Sequence, residues 1–276
     1  MISLESIRRY QGAALNRGDS FLYLAPHQAL QPYIANYTVT FPTPSTMPDD
    51  YTILPTASST LILSVNDNNI SGGIRGVNTQ PCQVGASANQ LELLLLIEFH
   101  PGSLYPFLRM DQTELVDTYN SLVDMDKGLS ELLEYALVKS ESIKKLTEEL
   151  DVIFLTRLMN SRSGTGISPM LQAIYKRHGN INSHELSGEF HYSDKQIRRM
   201  FLQQVGTSPK MFSRIVRANY SLRLMQNPPS PLTDIAMQAG YFDQPHFIHD
   251  FKLVCGLSPQ EYRKKMSVFY NDRFKM

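Results

Sequence analysis

"DIAMQAGYFDQPHFIHDFKLVCGLSPQEY", residues 234–262, decides how this chain folds. Its middle crowds aromatic rings around two histidines and two aspartates. One reading is a metal or catalytic cluster of His246, His249 and Asp250. The other is a helix held in place by its rings, with a polar face that reads a partner. Spacing favours the helix. Asp243 is a natural N-cap, and Pro245 falls in the first turn, where a missing N–H is tolerated. Phe247, Phe251 and Val254 recur at i, i+4 and i+7 and share a core-facing side. Gln244, Pro245, Ile248, His249 and Lys252 are left outside. No third histidine stands nearby, and Cys255 is in no metal-ligand spacing with the pair. Upstream, Ser230 and Pro231 suit a helix start, Ile235, Ala236 and Ala239 give an apolar face, and Gly240 ends that helix.

The same unit occurs twice. "YSDKQIRRMFLQQVGTSPKMF" (192–212) aligns with "FDQPHFIHDFKLVCGLSPQEY" (242–262) at an offset of fifty. Ser193 matches Asp243, Ile197 matches Phe247, and Phe201 matches Phe251. Gly206, Ser208, Pro209 and Phe212 match Gly256, Ser258, Pro259 and Tyr262. In the first copy Ser193 caps, Ile197 and Phe201 point inward, and Lys195, Arg198 and Arg199 point outward. The copies are joined by "KMFSRIVRANYSLRLMQ", about sixteen helical residues and so a strut of roughly 24 Å. Two helix-turn-helix units on such a strut suit two successive major grooves, about 34 Å apart. Arg and Lys bond guanine edges and phosphates, and Gln pairs with adenine.

Residues from about 168 to 266 resemble the DNA-binding domain of AraC/XylS-family transcription regulators, above all in "DIAMQAGYFDQPHFIHDFKLVCGLSPQEYR". The resemblance implies that Lys195, Arg198 and Arg199 form the first reading surface. Gln244, Pro245, Ile248 and His249 would form the second, with His246 near the phosphate backbone. Three positions depart from the family pattern: Ser187 where alanine is usual, His191 where the turn often has glycine, and His249 where arginine is common. The last shifts the expected burden of affinity to the first helix.

Charge supports a polyanion partner for this part of the chain. Residues 1–163 hold 11 Lys+Arg and 18 Asp+Glu, a net −7, whereas residues 164–276 hold 15 and 8, a net +7. Hydrophobic content of 42% with 19% charged residues is that of a folded chain with a core, not a disordered one. Two distant cysteines, Cys82 and Cys255, argue against a disulfide framework. "MISLESIRRYQGAAL" lacks a signal-peptide core, and "LELLLLIEF" is too short to span a bilayer. A cytoplasmic protein without membrane contact is expected.

Ahead of residue 100 the pattern is of short strands: "FLYLAP", "YIANYTVTF", "TLILSV", "GGIRGV" and "LELLLLIEF". Helical spacing follows, with Leu129, Leu132, Leu133, Ala136 and Leu137 on one face and Ile143, Leu146, Leu150, Ile153, Phe154 and Leu158 on another. The fold class read from this is α+β. A β-rich amino-terminal domain with appended helices (1–160), cupin-like as the family resemblance implies, precedes a linker (161–167), then an all-α domain of two helix-turn-helix units joined by a long helix (168–276). The family resemblance implies effector sensing or homodimer formation for the first domain. The helices at 127–159 fit either their own core or a dimer interface. Arg75, Arg109, Tyr105 and Phe107 are candidates for a ligand pocket. "IEFHPGSLYPFL" followed by "ELVD" is similar to a segment of uncharacterised family members.

An enzymatic reading finds little. Only His27 and His100, with Glu98, offer themselves to a cupin metal, too few for a site. No catalytic, metal or cofactor-binding residue is assigned. The expected function is a sequence-specific, DNA-binding transcription regulator; the residues do not separate activator from repressor, and the family resemblance favours activation. Its partners would be double-stranded promoter DNA and RNA polymerase, with a small-molecule effector and a homodimer left open. The alternative is a ligand-binding or enzymatic first domain with a protein-interaction module behind it.

Overall fold

The computed structural model describes residues 2–45, 47–67, 69–161, 166–226 and 230–265. The strands are β1 (Asn16–Arg17), β2 (Phe21–Leu24), β3 (Ile34–Thr40), β4 (Thr52–Ile53), β5 (Thr60–Asn66), β6 (Asn69–Arg75), β7 (Cys82–Gln83), β8 (Leu93–Phe99) and β9 (Tyr119–Ser121). Around them lie α1 (Leu4–Arg9), α2 (Gly85–Ala88), α3 (Tyr105–Leu108), a 3-10 turn (Gln112–Leu115), α4 (Leu122–Met125), α5 (Lys127–Lys139) and α6 (Ile143–Met159). The helical part comprises α7 (Ser168–Lys176), α8 (Ser183–Phe190), α9 (Asp194–Val205), α10 (Pro209–Met225), α11 (Leu232–Gln238), α12 (Gln244–Cys255) and α13 (Pro259–Lys265). An antiparallel sheet region followed by a helical domain is the α+β arrangement expected from the sequence. Most of the expected linker, 162–165, lies outside the described residues.

Seven strands form one antiparallel sheet in the order β1-β2-β3-β8-β5-β6-β9, and β4 pairs with β7 as a separate ribbon. Alternation sorts the two faces. Tyr37, Val39, Leu61, Leu63, Leu95 and Ile97 point to one side, where they pack with Leu129, Leu133, Leu146 and Phe154 of α5 and α6. Leu132 sits at the rim of the α5 stripe and is 48% exposed, so the core stripe is narrower than its leucine count suggested. The opposite face carries Asn36 and Thr38 of β3, Thr60 and Ile62 of β5, Leu96 and Glu98 of β8, and Arg75 of β6. It borders a cavity of about 1180 Å³ that the ribbon and the helical domain close.

A second core gathers Ile174, Ile197, Phe201, Phe212, Phe247 and Phe251 from the helices. Ala57 and Val77 of the sheet region join that core, so the halves share apolar packing. The Asn219 side-chain amide of α10 donates to the Pro55 carbonyl at 2.9 Å across the same boundary.

Candidate nucleic-acid interface

Each helix-turn-helix unit is built by local signals. Asn182 caps α8 reciprocally with Glu185, and Ser193 caps α9 reciprocally with Gln196. The turn between them runs through His191 at φ 56, a left-handed conformation that glycine adopts more cheaply. The Ser187 hydroxyl donates to the Tyr192 carbonyl and ties the turn to α8. In the second unit Asp243 caps α12 by accepting from the His246 N–H at 2.7 Å, and Gly240 makes the turn at φ 76. Here α11 starts one residue later than the sequence suggested: Pro231 itself occupies the N-cap, with no side-chain capping bond.

Lys195, Arg198 and Arg199 are exposed on α9, opposite buried Ile197, Phe201 and Val205. Among the described residues, none of the three cations forms an ion pair within the chain. On α12, Pro245, His249 and Lys252 are exposed, while Gln244 and Ile248 are half-buried. Ile248, Pro245 and the 45%-exposed Leu253 give this face an apolar component that α9 lacks.

His246 lies differently. Its ring meets Tyr241 edge-on at 5.3 Å, and its Nε2 stands 3.7 Å from the Asp250 carboxylate. The side chain is therefore turned toward its own domain rather than aligned with His249. Asp250 is 2% exposed, accepts a hydrogen bond from Arg217 of α10 at 3.1 Å and forms an ion pair with Arg214 at 3.1 Å. Arg217 also lies over the Tyr241 ring at 4.6 Å. The apparent metal cluster thus resolves into a structural ion network, and no group of three or more metal-ligating side chains occurs among the described residues.

Sequence reasoning missed this network, although a signal was present. Asp250 interrupts an apolar face between Phe247 and Phe251, and Arg214 and Arg217 share one side of the joining helix. The 17 residues of α10 make a rod of about 25 Å between the two units. Met225 ends it, and residues 227–229 lie outside the described structure.

Among the described residues no helix is long and apolar enough to cross a membrane. Residues 186–265 match a family described as a helix-turn-helix domain, of the AraC type. Residues 23–121 match a domain of unknown function, DUF6597. The chain is 33% identical over 97 residues to the uncharacterised HTH-type transcriptional regulator YisR of Bacillus subtilis, covering 35% of this chain and 33% of that protein. It is 32% identical over 73 residues to the HTH-type transcriptional activator RhaR of Klebsiella pneumoniae, covering 26% of each. The matches therefore span a third or less of these relatives. ToxT from Vibrio cholerae superimposes with a TM-score of 0.39 at 13% identity, over 78% of this chain and 92% of that one.

Proposed function

The chain belongs with the AraC/XylS-family regulators through its helix-turn-helix domain, and on that premise we propose that it binds promoter DNA sequence-specifically and regulates transcription. The carrying observation is the pair of helices with exposed polar faces, α9 and α12, one in each of the two units that α10 joins. We assign α9 and α12 to successive major grooves on one side of the duplex. Lys195, Arg198 and Arg199 supply phosphate and guanine contacts. Gln244 and His249 reach polar base edges, and Pro245 and Ile248 meet thymine methyl groups. His246, expected from the sequence near the phosphate backbone, is turned toward its own domain and borders the Asp250 network instead.

The function is regulatory rather than catalytic; RhaR's description as an activator supports activation, and we assign RNA polymerase as the partner. The sheet region senses a small molecule. Leu132, Tyr135 and Val138, all exposed on α5, offer an apolar face for a second copy. The domain division is at about residues 161–167.

Selection of binding sites from random duplexes, followed by nuclease footprinting, tests the reading. The expected result is a bipartite site, its halves about one helical turn apart on the same face. Binding no tighter to selected than to bulk competitor DNA would overturn it.

A further inference from the structure

The turn of the second unit presents a ring that the fold does not use. Phe242, immediately before the Asp243 cap of α12, is 92% exposed, whereas its neighbour Tyr241 is 5% exposed. An apolar residue just ahead of a cap ordinarily packs against the fourth helical residue, here Phe247. Tyr241 has taken that place, with its ring centroid 5.2 Å from that of Phe247. The phenyl group of Phe242 is left in water.

A single exposed apolar side chain is ordinary on a protein surface. Two features set this one apart. The backbone that carries it is held on both sides. The Tyr241 N–H donates to the Ala236 carbonyl at 2.9 Å, the Asn180 amide donates to the Ala239 carbonyl at 3.0 Å, and Asp243 accepts from the His246 N–H at 2.7 Å. The second feature is its place. Phe242 stands two residues ahead of Gln244, in front of the first turn of α12, and that end of a reading helix is the one that meets base edges. The first unit also carries an aromatic residue at the equivalent position, Tyr192, 40% exposed.

A phenyl ring brings no donor or acceptor for a phosphate or a base edge. The apolar feature that the major groove displays is the C5-methyl of thymine. We propose that Phe242 is a specificity-determining residue whose ring packs on a thymine methyl at the base pair nearest the N-terminal end of α12. This deepens the DNA-binding reading above and rests on it. With Pro245 and Ile248, Phe242 makes the second half-site chiefly a methyl-reading one, whereas Lys195, Arg198 and Arg199 read the first through hydrogen bonds and charge.

The test titrates the full chain, Phe242→Ala and Phe242→Leu against the selected DNA site in mobility-shift assays. Parallel duplexes replace each thymine in turn with deoxyuridine, which removes only the methyl group. Phe242→Ala should bind the selected site about ten-fold more weakly with an unchanged salt slope, and Phe242→Leu should fall between it and the wild type. At one thymine, loss of the methyl should weaken wild-type binding about four-fold, as for one buried methyl-sized group, and should not weaken Phe242→Ala further. Thermal melting of the free proteins checks that each variant folds, and the deoxyuridine scan of the wild type needs no variant. Unchanged affinity of Phe242→Ala, a site with no methyl-sensitive thymine, or the same methyl losses in wild type and Phe242→Ala overturns the proposal. Weakening by Phe242→Ala that is uniform across all sequences marks a contact to sugar instead and also overturns it. Tight wild-type binding without coupling at Phe242 removes only this inference, whereas no preference for the selected site over bulk DNA counts against the regulator.

Discussion

Arg217 on the joining helix donates to Asp250 on α12 at 3.1 Å. Arg214 reaches the other carboxylate oxygen at 3.1 Å, so one buried acid holds two guanidinium groups. The pair fixes the roll of α12 about its own axis, and hence which residues it presents. Asp250→Asn keeps the volume and removes the charge, leaving both arginines without their counter-ion. It is expected to cost about 3 kcal/mol, the low end for a broken buried pair because each arginine keeps some water contact. His246→Ala, at the edge of the network, should cost under about 1 kcal/mol. Urea unfolding reads both, and equal midpoints for wild type and Asp250→Asn would show that the network contributes nothing.

The two reading helices should contribute differently to DNA binding. Arg198 and Arg199 are exposed cations without intramolecular ion pairs among the described residues, so no internal bond opposes their transfer to DNA. Replacing either with alanine should weaken binding by about 1–3 kcal/mol if it meets a base edge, with relaxed preference at that base pair. A phosphate contact instead gives uniform weakening and a salt slope reduced by about one. Ile248→Ala should act only on one half-site and leave the salt slope unchanged. Mobility-shift titrations at several salt concentrations distinguish these outcomes, and unchanged affinity of both arginine variants rules out α9 as a reading helix.

The helical domain was legible because its signals are local. Ser193, Asp243, Gly206 and Gly256 mark helix ends, and the offset of fifty lets each copy check the other. The long strands were legible from alternation, whereas β1, β4, β7 and β9, of two or three residues, carry no period to read. The Asp250 network and the cavity depend on contacts between residues far apart in the chain. Arg75 and Asn219 are separated by just over half of it, and nothing local marks them as neighbours of one cavity. Of the pocket candidates, Arg75 lines the cavity. Phe107 packs instead in the first core, and the Arg109 guanidinium donates to the Asn160 carbonyl.

Acid should weaken the sheet region through Asp126. This residue caps α5 by accepting from the Leu129 N–H at 2.8 Å and forms a two-point pair with Arg157 at 2.6 and 3.0 Å. Burial works to raise the carboxyl's pKa, but the Arg157 bonds and the Leu129 N–H outweigh it and hold it below the usual value. A lowered folded pKa means the unfolded chain takes up the proton first. The stabilisation is therefore full above about pH 4, the unfolded carboxyl range, and is lost as pH falls through the folded value. Asp126→Ala should cost about 2 kcal/mol at neutral pH, with the gap from wild type narrowing below about pH 4. A gap of constant size down to pH 2 would remove Asp126 as the acid-sensitive group.

Gly206 and Gly256 hold equivalent places in the two copies, which gives an internal control for the contact between the halves. Both end their helices in the left-handed region, at φ 88 and 73, so any side chain at either position carries a similar backbone penalty of about 1 kcal/mol. Their surroundings differ. A Cβ on Gly206 would stand 2.8 Å from the Gln112 carbonyl oxygen and 3.1 Å from Val116, both in the sheet region. At Gly256 the nearest atom is Pro81 Cγ at 3.1 Å, at the edge of a proline ring. Gly206→Ala must therefore push the end of the first reading helix away from the 3-10 turn, whereas Gly256→Ala carries mainly the backbone penalty. The expected destabilisation is about 1 kcal/mol for Gly256→Ala and about 2–3 kcal/mol for Gly206→Ala. Chemical unfolding measures both. Equal losses would mean that the turn gives way freely, and that α9 is not held by the sheet region at all.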